Sequence, residues 1–537
     1  MTTAPTPPTG ALQGWLVMSP QRAACYIAAS FLLGITQGLG LSLLSSNLTQ
    51  LQGDFGATQQ EALWLAAAYM APSASVTLAL IKIRNQFGLR RFGEVALIGF
   101  VVSALLNVWI TDLHSGIAVR FMSGLAAAPI STLAFLYMLE PFPPARKLSV
   151  GLSLALTGIS IGTPLSRVLS PSLMDTDSWF HSTLLELGLA LLCLAVVFTL
   201  PLAPVPRQKV IERWDFISYP LIAVGLGGLA VVLVMGKSYW WFDAEWLGIL
   251  TLVSAISIGA AIVIELHRTR PLLDVRWLFS PAILQFAGAL IVFRIVLSEQ
   301  ASGAPGLYLA LGLQNQQMQG LFWVILLCTI AGGLVSAVIL KPGREHAIHI
   351  VALMLIIIGA LIDAQSTSQT RPEQMLFSQG LIAFASAIFL PAALAAGLMV
   401  ALKRGPQYIL SFVIVFLTTQ RLGGIAGTAV FQTVMQFRLD VHTNLISAHL
   451  MQGGQLVAER LQTYAASLAQ TLPDAAARQA QATSLLSQAV QKEATVLAYN
   501  DVFTLIALVA ACAMIILIAH WGVIWLRSRH ASEPANG

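Results

Sequence analysis

Residues 246–264 read WLGILTLVSAISIGAAIVI, nineteen residues without a charged side chain. A helix needs about 20 such residues to cross a hydrocarbon core of roughly 30 Å. Thirteen other apolar stretches reach a comparable length, and hydrophobic residues make up 57% of the 537 while charged residues make up only 10%. This balance excludes a soluble globular protein. The sequence therefore predicts an all-α polytopic membrane protein.

The predicted spans, numbered 1 to 14 in chain order, are 22–46, 60–82, 92–112, 115–139, 148–170, 180–202, 216–236, 245–266, 281–312, 319–340, 347–365, 374–401, 407–435 and 502–526. Of 29 lysines and arginines, nineteen lie at the chain termini or after even-numbered spans, six after odd-numbered spans and four inside spans. Positively charged loops face the cytoplasm, so both termini are predicted to be cytoplasmic. The net charge of +5 reflects this asymmetry and indicates no nucleic-acid partner.

A long segment, residues 436–501, separates spans 13 and 14 on the predicted outer side. Its apolar residues recur at helical spacing, which predicts one or two amphipathic helices standing off the membrane. They are Leu456, Leu461, Tyr464 and Leu468, followed by Ala477, Leu485, Leu486 and Val490. The segment is either a solvated connector or a docking surface for a periplasmic partner.

Span 4 contains the most specific motif. Residues 120–129, RFMSGLAAAP, have the form R-x-x-x-G-x-x-x-x-P. Other motifs follow in order at 89–95 (LRRFGEV), 214–215 (WD), 265–274 (ELHRTRPLLD), 421–427 (RLGGIAG) and 499–503 (YNDVF). Together they resemble the fourteen-helix drug:proton antiporter branch of the major facilitator superfamily, the EmrB/QacA type.

The resemblance implies a major facilitator fold: two six-helix bundles, spans 1–6 and 9–14, with two helices inserted between them. The corresponding division is a cytoplasmic tail 1–21, an N-terminal bundle 22–202, inserted helices 203–267, a C-terminal bundle 268–526 that includes 436–501, and a cytoplasmic tail 527–537. The two bundles of such transporters rock around a midplane site. The implied location is the bacterial inner membrane, in contact with membrane lipid.

The chain departs from the family where the family couples transport to protons. Span 1 of the family contains an acidic residue, whereas residues 34–40 here read GITQGLG, with Gln37 at the centre. The family's helix 5 motif is reduced to Gly158, Gly162 and Pro164. A proton-coupled mechanism in this chain therefore needs a different acid.

Ionisable side chains inside a membrane are candidate functional residues, because each costs roughly 2.5–3.5 kcal/mol to insert. Glu299 in span 9 is the deepest acid, since Glu186 and Asp363 lie nearer the ends of their spans, where water reaches them more easily. It is the candidate proton carrier. The alternative is a static ion pair, formed with Arg294, that holds span 9 in its bundle.

The arginines inside spans are Arg120, Arg167, Arg294 and Arg421. By resemblance, Arg120 takes part in proton or substrate coupling; the alternative is that it snorkels toward the outer headgroups. Small residues let helices approach closely. Packing or gating positions are therefore expected at Gly124, Gly158, Gly162, Pro164, Gly423, Gly424 and Gly427.

Four arginines against one deep acid make the predicted interior net positive, and a guanidinium group binds carboxylates in bidentate geometry. The positive interior favours an organic anion, and the resemblance implies a secondary active transporter that exports such an amphipathic small molecule, or a drug-like compound, by proton antiport. The alternatives are a facilitator or a differently coupled carrier, then a membrane-embedded enzyme or a non-transporting assembly subunit.

The sequence has no catalytic, phosphate-binding or metal-ligand motif, so no cofactor or metal is predicted. Candidate partners are a periplasmic membrane-fusion adaptor and an outer-membrane channel.

Overall fold

The computed structural model describes residues 15–173, 178–202, 209–268, 271–272, 274–405, 408–451 and 454–532. Within these ranges, fourteen helices are long and apolar enough to cross a membrane, which confirms the predicted number of spans. The described residues contain no β-strand. The predicted tails fall partly outside the described residues, at 1–14 and 533–537. The side of the membrane on which the termini lie stays a prediction.

The spanning helices, numbered in chain order, are α1 (Pro20–Ser46), α2 (Gln59–Phe87), α3 (Leu89–Val108), α4 (Leu113–Leu139), α5 (Leu152–Ser160 with Gly162–Leu173), α6 (Ser178–Thr199), α7 (Asp215–Met235), α8 (Glu245–Leu266), α9 (Pro281–Val296 with Ala304–Ala310), α10 (Gln319–Ile339), α11 (Glu345–Asp363), α12 (Leu376–Arg404), α13 (Tyr408–Met451) and α14 (Ala475–Ser532). Turns of π-helix precede α5 (Lys147–Gly151) and interrupt α9 (Glu299–Gly303). Short helices cover Leu48–Phe55, Val275–Leu278 and Gln455–Ser467.

The helices form two bundles. In the N-terminal bundle, α4 packs against α1, α2 and α3, and α6 packs against α1 and α3. In the C-terminal bundle, α12 packs against α10 and α11, α14 against α11 and α13, and α9 against α13. Helix α7 lies against α2, and α8 lies against α7. The bundles meet where α5 contacts α10 and α12 and where α2 contacts α13.

Helices α1 and α5 cross with no side chain between their backbones. A Cβ atom built on Gly162 would lie 2.6 Å from the Cα of Gly38, and one built on Gly34 would lie 3.1 Å from the carbonyl carbon of Gly158. Such short separations are available only to glycine pairs, as in other small-residue crossings of membrane helices. Pro164 is buried two residues after this crossing, in the second half of α5.

The segment between spans 13 and 14 differs from the sequence prediction. Residues 436–451 continue α13, and residues 475–501 form the first half of α14, so both membrane helices run on beyond their predicted spans as a hairpin. The short helix Gln455–Ser467 packs along α14. At the base of the hairpin, Leu439 packs with Ala494 and Ala498. An ion pair of 2.5 Å between Arg438 and Asp501 also joins its two arms there.

Candidate transport site

Arg120 forms a buried ion pair in the N-terminal bundle. It lies on α4 with 4% of its surface exposed, so it does not snorkel to the headgroups. Its Nη1 donates to the carbonyl of Gly40 on α1 (3.2 Å) and to Oε2 of Glu186 on α6 (3.4 Å). Its guanidinium carbon is 5.1 Å from the centre of the Trp179 ring. This arrangement joins three helices around one positive charge.

The position of Glu186 corrects the expectation that this acid lies within easy reach of water. Only 5% of its surface is exposed, because Trp179 and the neighbouring helices cover the start of α6. Glu186 neutralises Arg120. The interior is therefore less positive than the sequence indicated.

A second cluster lies in the C-terminal bundle and contains two acids. Glu299 on α9 and Asp363 at the end of α11 are 0% and 1% exposed. The Nε2 of Gln379 on α12 donates to both carboxyl groups, at 2.7 Å to Glu299 Oε1 and 2.7 Å to Asp363 Oδ2. The hydroxyl of Ser378 also donates to Asp363. The depth of Asp363, like that of Glu186, was not apparent from its place near the end of a span.

The backbone around Glu299 departs from α-helical geometry. Glu299 opens the π-helical turn Glu299–Gly303, and Pro305 follows two residues after that turn. Proline lacks the N–H that would bond to the carbonyl four residues earlier, and its ring crowds that carbonyl. The π-helical turn Glu299–Gly303 is wider than an α-helical turn and lies just before this proline. Turns of this kind occur frequently at functional sites.

Arg294 does not pair with Glu299. Its side chain lies in a groove of α13 formed by glycines. A Cβ atom on Gly424 would clash with Arg294 Nη2, one on Gly423 would lie 3.1 Å from Arg294 Cγ, and one on Gly427 would lie 2.6 Å from the Arg294 carbonyl oxygen. The buried Nε of Arg294 has no hydrogen-bond partner among the described residues.

Arg421 connects the two bundles. Its Nη1 donates to the backbone carbonyl of Ser73 on α2 (2.6 Å), and its Nη2 donates to the hydroxyl of Ser131 on α4 (3.0 Å). Both partners are neutral. Nearby in the N-terminal bundle, Gly124 lies directly under the backbone carbonyl of Tyr69, which closes the α2–α4 contact. Gln37 is half-buried on α1, next to the residue where α1 crosses α5.

The bundles are also sealed at one end, and Asn315 is the centre of that seal. Its Nδ2 lies within hydrogen-bonding distance of the Ser46 carbonyl (3.0 Å), Asn47 Oδ1 (3.1 Å) and Ser170 Oγ (3.2 Å). Its Oδ1 accepts from Arg167 (3.3 Å). Only a polar run, QNQQMQ at 314–319 between two apolar spans, marks the position of Asn315 in the sequence.

An ionic network at the opposite end attaches the inserted helices to the N-terminal bundle. Asp215, which opens α7, accepts from Lys82 of α2 (2.7 Å) and pairs with Arg268 (2.8 Å). Arg268 also pairs with Glu265 of α8 (2.8 Å) and with Glu212 (3.1 Å). Burial disfavours the charged guanidinium of Arg268, but these carboxylates outweigh it and raise its pKa. Two of the sequence motifs, at 214–215 and 265–274, therefore contribute residues to the same ion-pair network.

Comparison with known proteins decides the family. A family model described as Major Facilitator Superfamily matches residues 30–437. The chain belongs to the major facilitator superfamily. This confirms the resemblance read from the motifs, and it places the chain among transporters rather than enzymes.

Curated relatives of this member of the superfamily are bacterial resistance proteins. It is 24% identical over 250 residues to the probable multidrug resistance protein EmrY of Escherichia coli, covering 47% of this chain and 48% of the relative. It is 25% identical over 231 residues to the fatty acid resistance protein FarB of Neisseria gonorrhoeae, covering 41% and 43%. The similarity thus spans about half the length of the curated relatives. With fourteen candidate spans, these matches identify a multi-pass protein of the bacterial inner membrane.

Solved structures show the same fold at low identity. The human organic anion transporter MFSD10 matches 91% of this chain and 99% of its own length, with a TM-score of 0.56 and 14% identity. A POT family transporter in complex with a thioalcohol conjugated peptide matches 94% and 97%, with a TM-score of 0.59 and 12% identity. These likenesses concern the fold alone.

Proposed function

We propose that this transporter exports an amphipathic small molecule across the inner membrane by proton antiport, and that Glu299 and Asp363 carry the proton. The observation that supports this most is the buried pair of carboxyl groups bridged by one amide. Two carboxylates in a low-dielectric interior repel each other. No lysine, arginine or histidine among the described residues contacts either group.

The pair must then be neutralised by a cation from outside the protein. A proton fits the surroundings better than a metal ion, because Gln379 directs N–H donors at both carboxyl groups. Metal ions of hard character require oxygen ligands, not N–H groups. A proton also requires no enlargement of a site in which both acids are almost fully buried.

The location of the pair suits a carrier that is loaded from one side. Glu299 lies in the half of α9 that leads to Asn315, and Asp363 ends α11 at the same end of the bundle. The lysine and arginine distribution predicts that this end faces the periplasm. In the proposed cycle, opening of the Asn315 seal admits protons from outside, and closure precedes their release to the cytoplasm.

The substrate proposed is an organic anion, and Arg421 is its proposed contact. Arg120 is neutralised by Glu186, whereas Arg421 lies between the bundles with only neutral partners among the described residues. A guanidinium group that faces an interface can bind a carboxylate through two parallel hydrogen bonds. The name of one relative, fatty acid resistance protein, fits an amphipathic carboxylate. The names of others, multidrug and colistin resistance proteins, make drug-like compounds the second class to test.

The helical hairpin is the proposed contact for a periplasmic adaptor, through which the transporter would reach an outer-membrane channel. Helix α14 has 58 residues, about 87 Å at 1.5 Å per residue, whereas a bilayer core needs only about 30 Å. The short helix Gln455–Ser467 lies along α14 and buries none of its residues fully. Met451 and Leu456 at the hairpin tip remain 87% and 80% exposed, which offers an apolar contact to a partner.

Counterflow in proteoliposomes tests the substrate class and the coupling ion together. Labelled fatty acids, aromatic acids and organic cations would be compared, with pH and sodium gradients imposed separately. We expect exchange of the acids and acceleration by a pH gradient alone. Arg421→Gln should weaken exchange of the acids, and Gln316→Ala, at an exposed position, serves as its control. Exchange restricted to cations would contradict the anion proposal, and acceleration by sodium alone would identify a differently coupled carrier.

A further inference from the structure

A small cavity, lined mostly by apolar side chains, lies beside the Arg120–Glu186 pair. It has about 10 Å³ open to the centre of a water molecule, which is close to what one water needs. Its lining residues from α1, α4 and α6 include Gly40, Leu43, Arg120, Ser182 and Glu186. The cavity is therefore the size of a single ordered water and borders a buried ion pair.

Three buried polar atoms of the lining residues lack a hydrogen-bond partner among the described residues: Glu186 Oε1, Arg120 Nε and Ser182 Oγ. Tyr69 OH, close to Gly40, also lacks one. Buried polar atoms in folded proteins are satisfied by protein groups or by ordered water. A Cβ atom built on Gly40 would lie 3.2 Å from Glu186 Oε1 and 3.6 Å from Tyr69 OH, so both atoms face the space that Gly40 leaves open.

We infer that the cavity holds an ordered water and that Glu186 exchanges a proton through it, which makes the Arg120–Glu186 pair a second proton site. With Glu186 ionised, Oε2 accepts from Arg120 and Oε1 accepts from the water. With Glu186 protonated, its O–H donates to the water, while Arg120 keeps its bond to the Gly40 carbonyl. A proton from bulk solvent reaches the water as hydronium and passes from it to Oε1, and the reverse transfer returns the proton to bulk solvent.

The charges around Glu186 permit both forms. Arg120 on α4 and Tyr69 on α2 are the titratable groups that face it, and Arg421 lies beyond Tyr69. On the elements packed next to it, Asp54 of the short helix Leu48–Phe55 and His181 of α6 itself are exposed. The distance of 3.4 Å between Arg120 and Glu186 is long for an ion pair. When Glu186 is neutral, the charge of Arg120 keeps the Gly40 carbonyl and the face of the Trp179 ring as partners.

Infrared pH-difference spectra of the purified full chain, recorded in H₂O and D₂O, test the inference with the proton as the probe. We expect Glu186→Gln to remove one carboxylic C=O band. Gly40→Ala should retain that band but slow its deuterium exchange by about tenfold or more, because the new methyl group displaces the water. Gly188→Ala is the matched control on α6, since nothing lies within 4 Å of its added Cβ.

An unchanged spectrum in Glu186→Gln would overturn the inference and leave a static ion pair. Unchanged exchange in Gly40→Ala would overturn the route through the cavity. A transport measurement adds a test that rests on the proposed function. The number of protons exchanged per substrate molecule, measured from the reversal potential, should fall by one in Glu186→Gln. If the infrared results hold while no pH-driven transport exists in the unmodified protein, the proposed function fails and the proton site stands.

Discussion

Replacement of Asn315 by alanine should open the seal between the bundles. The Nδ2 group contacts three acceptors but has two hydrogens, so two of those bonds form at once, and Arg167 adds a third bond to Oδ1. At a net value of about 0.5–1.5 kcal/mol per hydrogen bond, the closed state loses roughly 1.5–4.5 kcal/mol. Since about 1.4 kcal/mol is tenfold in an equilibrium, the open population should rise roughly tenfold to a thousandfold.

Thiol labelling of a buried reporter in the purified protein measures this change. Val168, which is 4% exposed and whose carbonyl accepts from Gln319 across the seal, would become cysteine. The native cysteines Cys25, Cys193, Cys328 and Cys512 would be replaced by serine. Maleimide labelling should be slow in the parent and faster by at least about tenfold with Asn315→Ala. The control is Gln316→Ala in the same turn, and an unchanged rate in Asn315→Ala would refute the reasoning.

Three further predictions concern packing, charge and the hairpin. Gly424→Ala should destabilise the protein by about 1–3 kcal/mol, because the added Cβ overlaps Arg294; a melting-temperature shift no larger than that of Gly188→Ala would contradict it. Arg120→Ala should lower transport and also folded stability, because it leaves Glu186 buried without its cation; Arg120→Lys should restore only part, because an ammonium lacks the planar guanidinium that lies over Trp179, and full activity with lysine would show that a point charge suffices. Replacing residues 445–490 with a short Gly/Ser linker should preserve transport in liposomes and remove export from cells, whereas full export would make the hairpin only a connector.

The number of spans was predictable because the bilayer imposes it, whereas the two-bundle arrangement followed from the resemblance of the motifs to the major facilitator superfamily. A spanning helix must satisfy its own backbone and must be apolar over about 20 residues, so hydropathy finds it. The ends of α13 and α14 were not predictable in this way. Residues 436–451 and 475–501 are polar enough for water yet remain helical, and hydropathy records only where the apolar part stops.

The candidate site was predictable where a charge interrupts an apolar run. Glu299 and Arg120 stood out for that reason, and the structure buries both. Glu186 and Asp363 were judged by their distance from span ends, but burial depends on neighbouring helices that a linear sequence does not display. Gln379 and Asn315 are neutral, so nothing marked them until their partners on other helices were known. The glycines of α13 were predicted as packing positions, and the side chain that they accommodate is Arg294.

Transport by Glu299→Gln in proteoliposomes tests the central claim most directly. Glutamine has the shape of the protonated acid but cannot exchange a proton, so it fixes the neutral form of the carboxyl pair. We predict that uptake driven by a pH gradient is lost while counterflow without a gradient persists, and that Asp363→Asn behaves in the same way. Glu459→Gln, at an exposed position of the hairpin, should behave as the unmodified protein. Normal pH-driven uptake by Glu299→Gln would contradict the claim that this pair carries the proton.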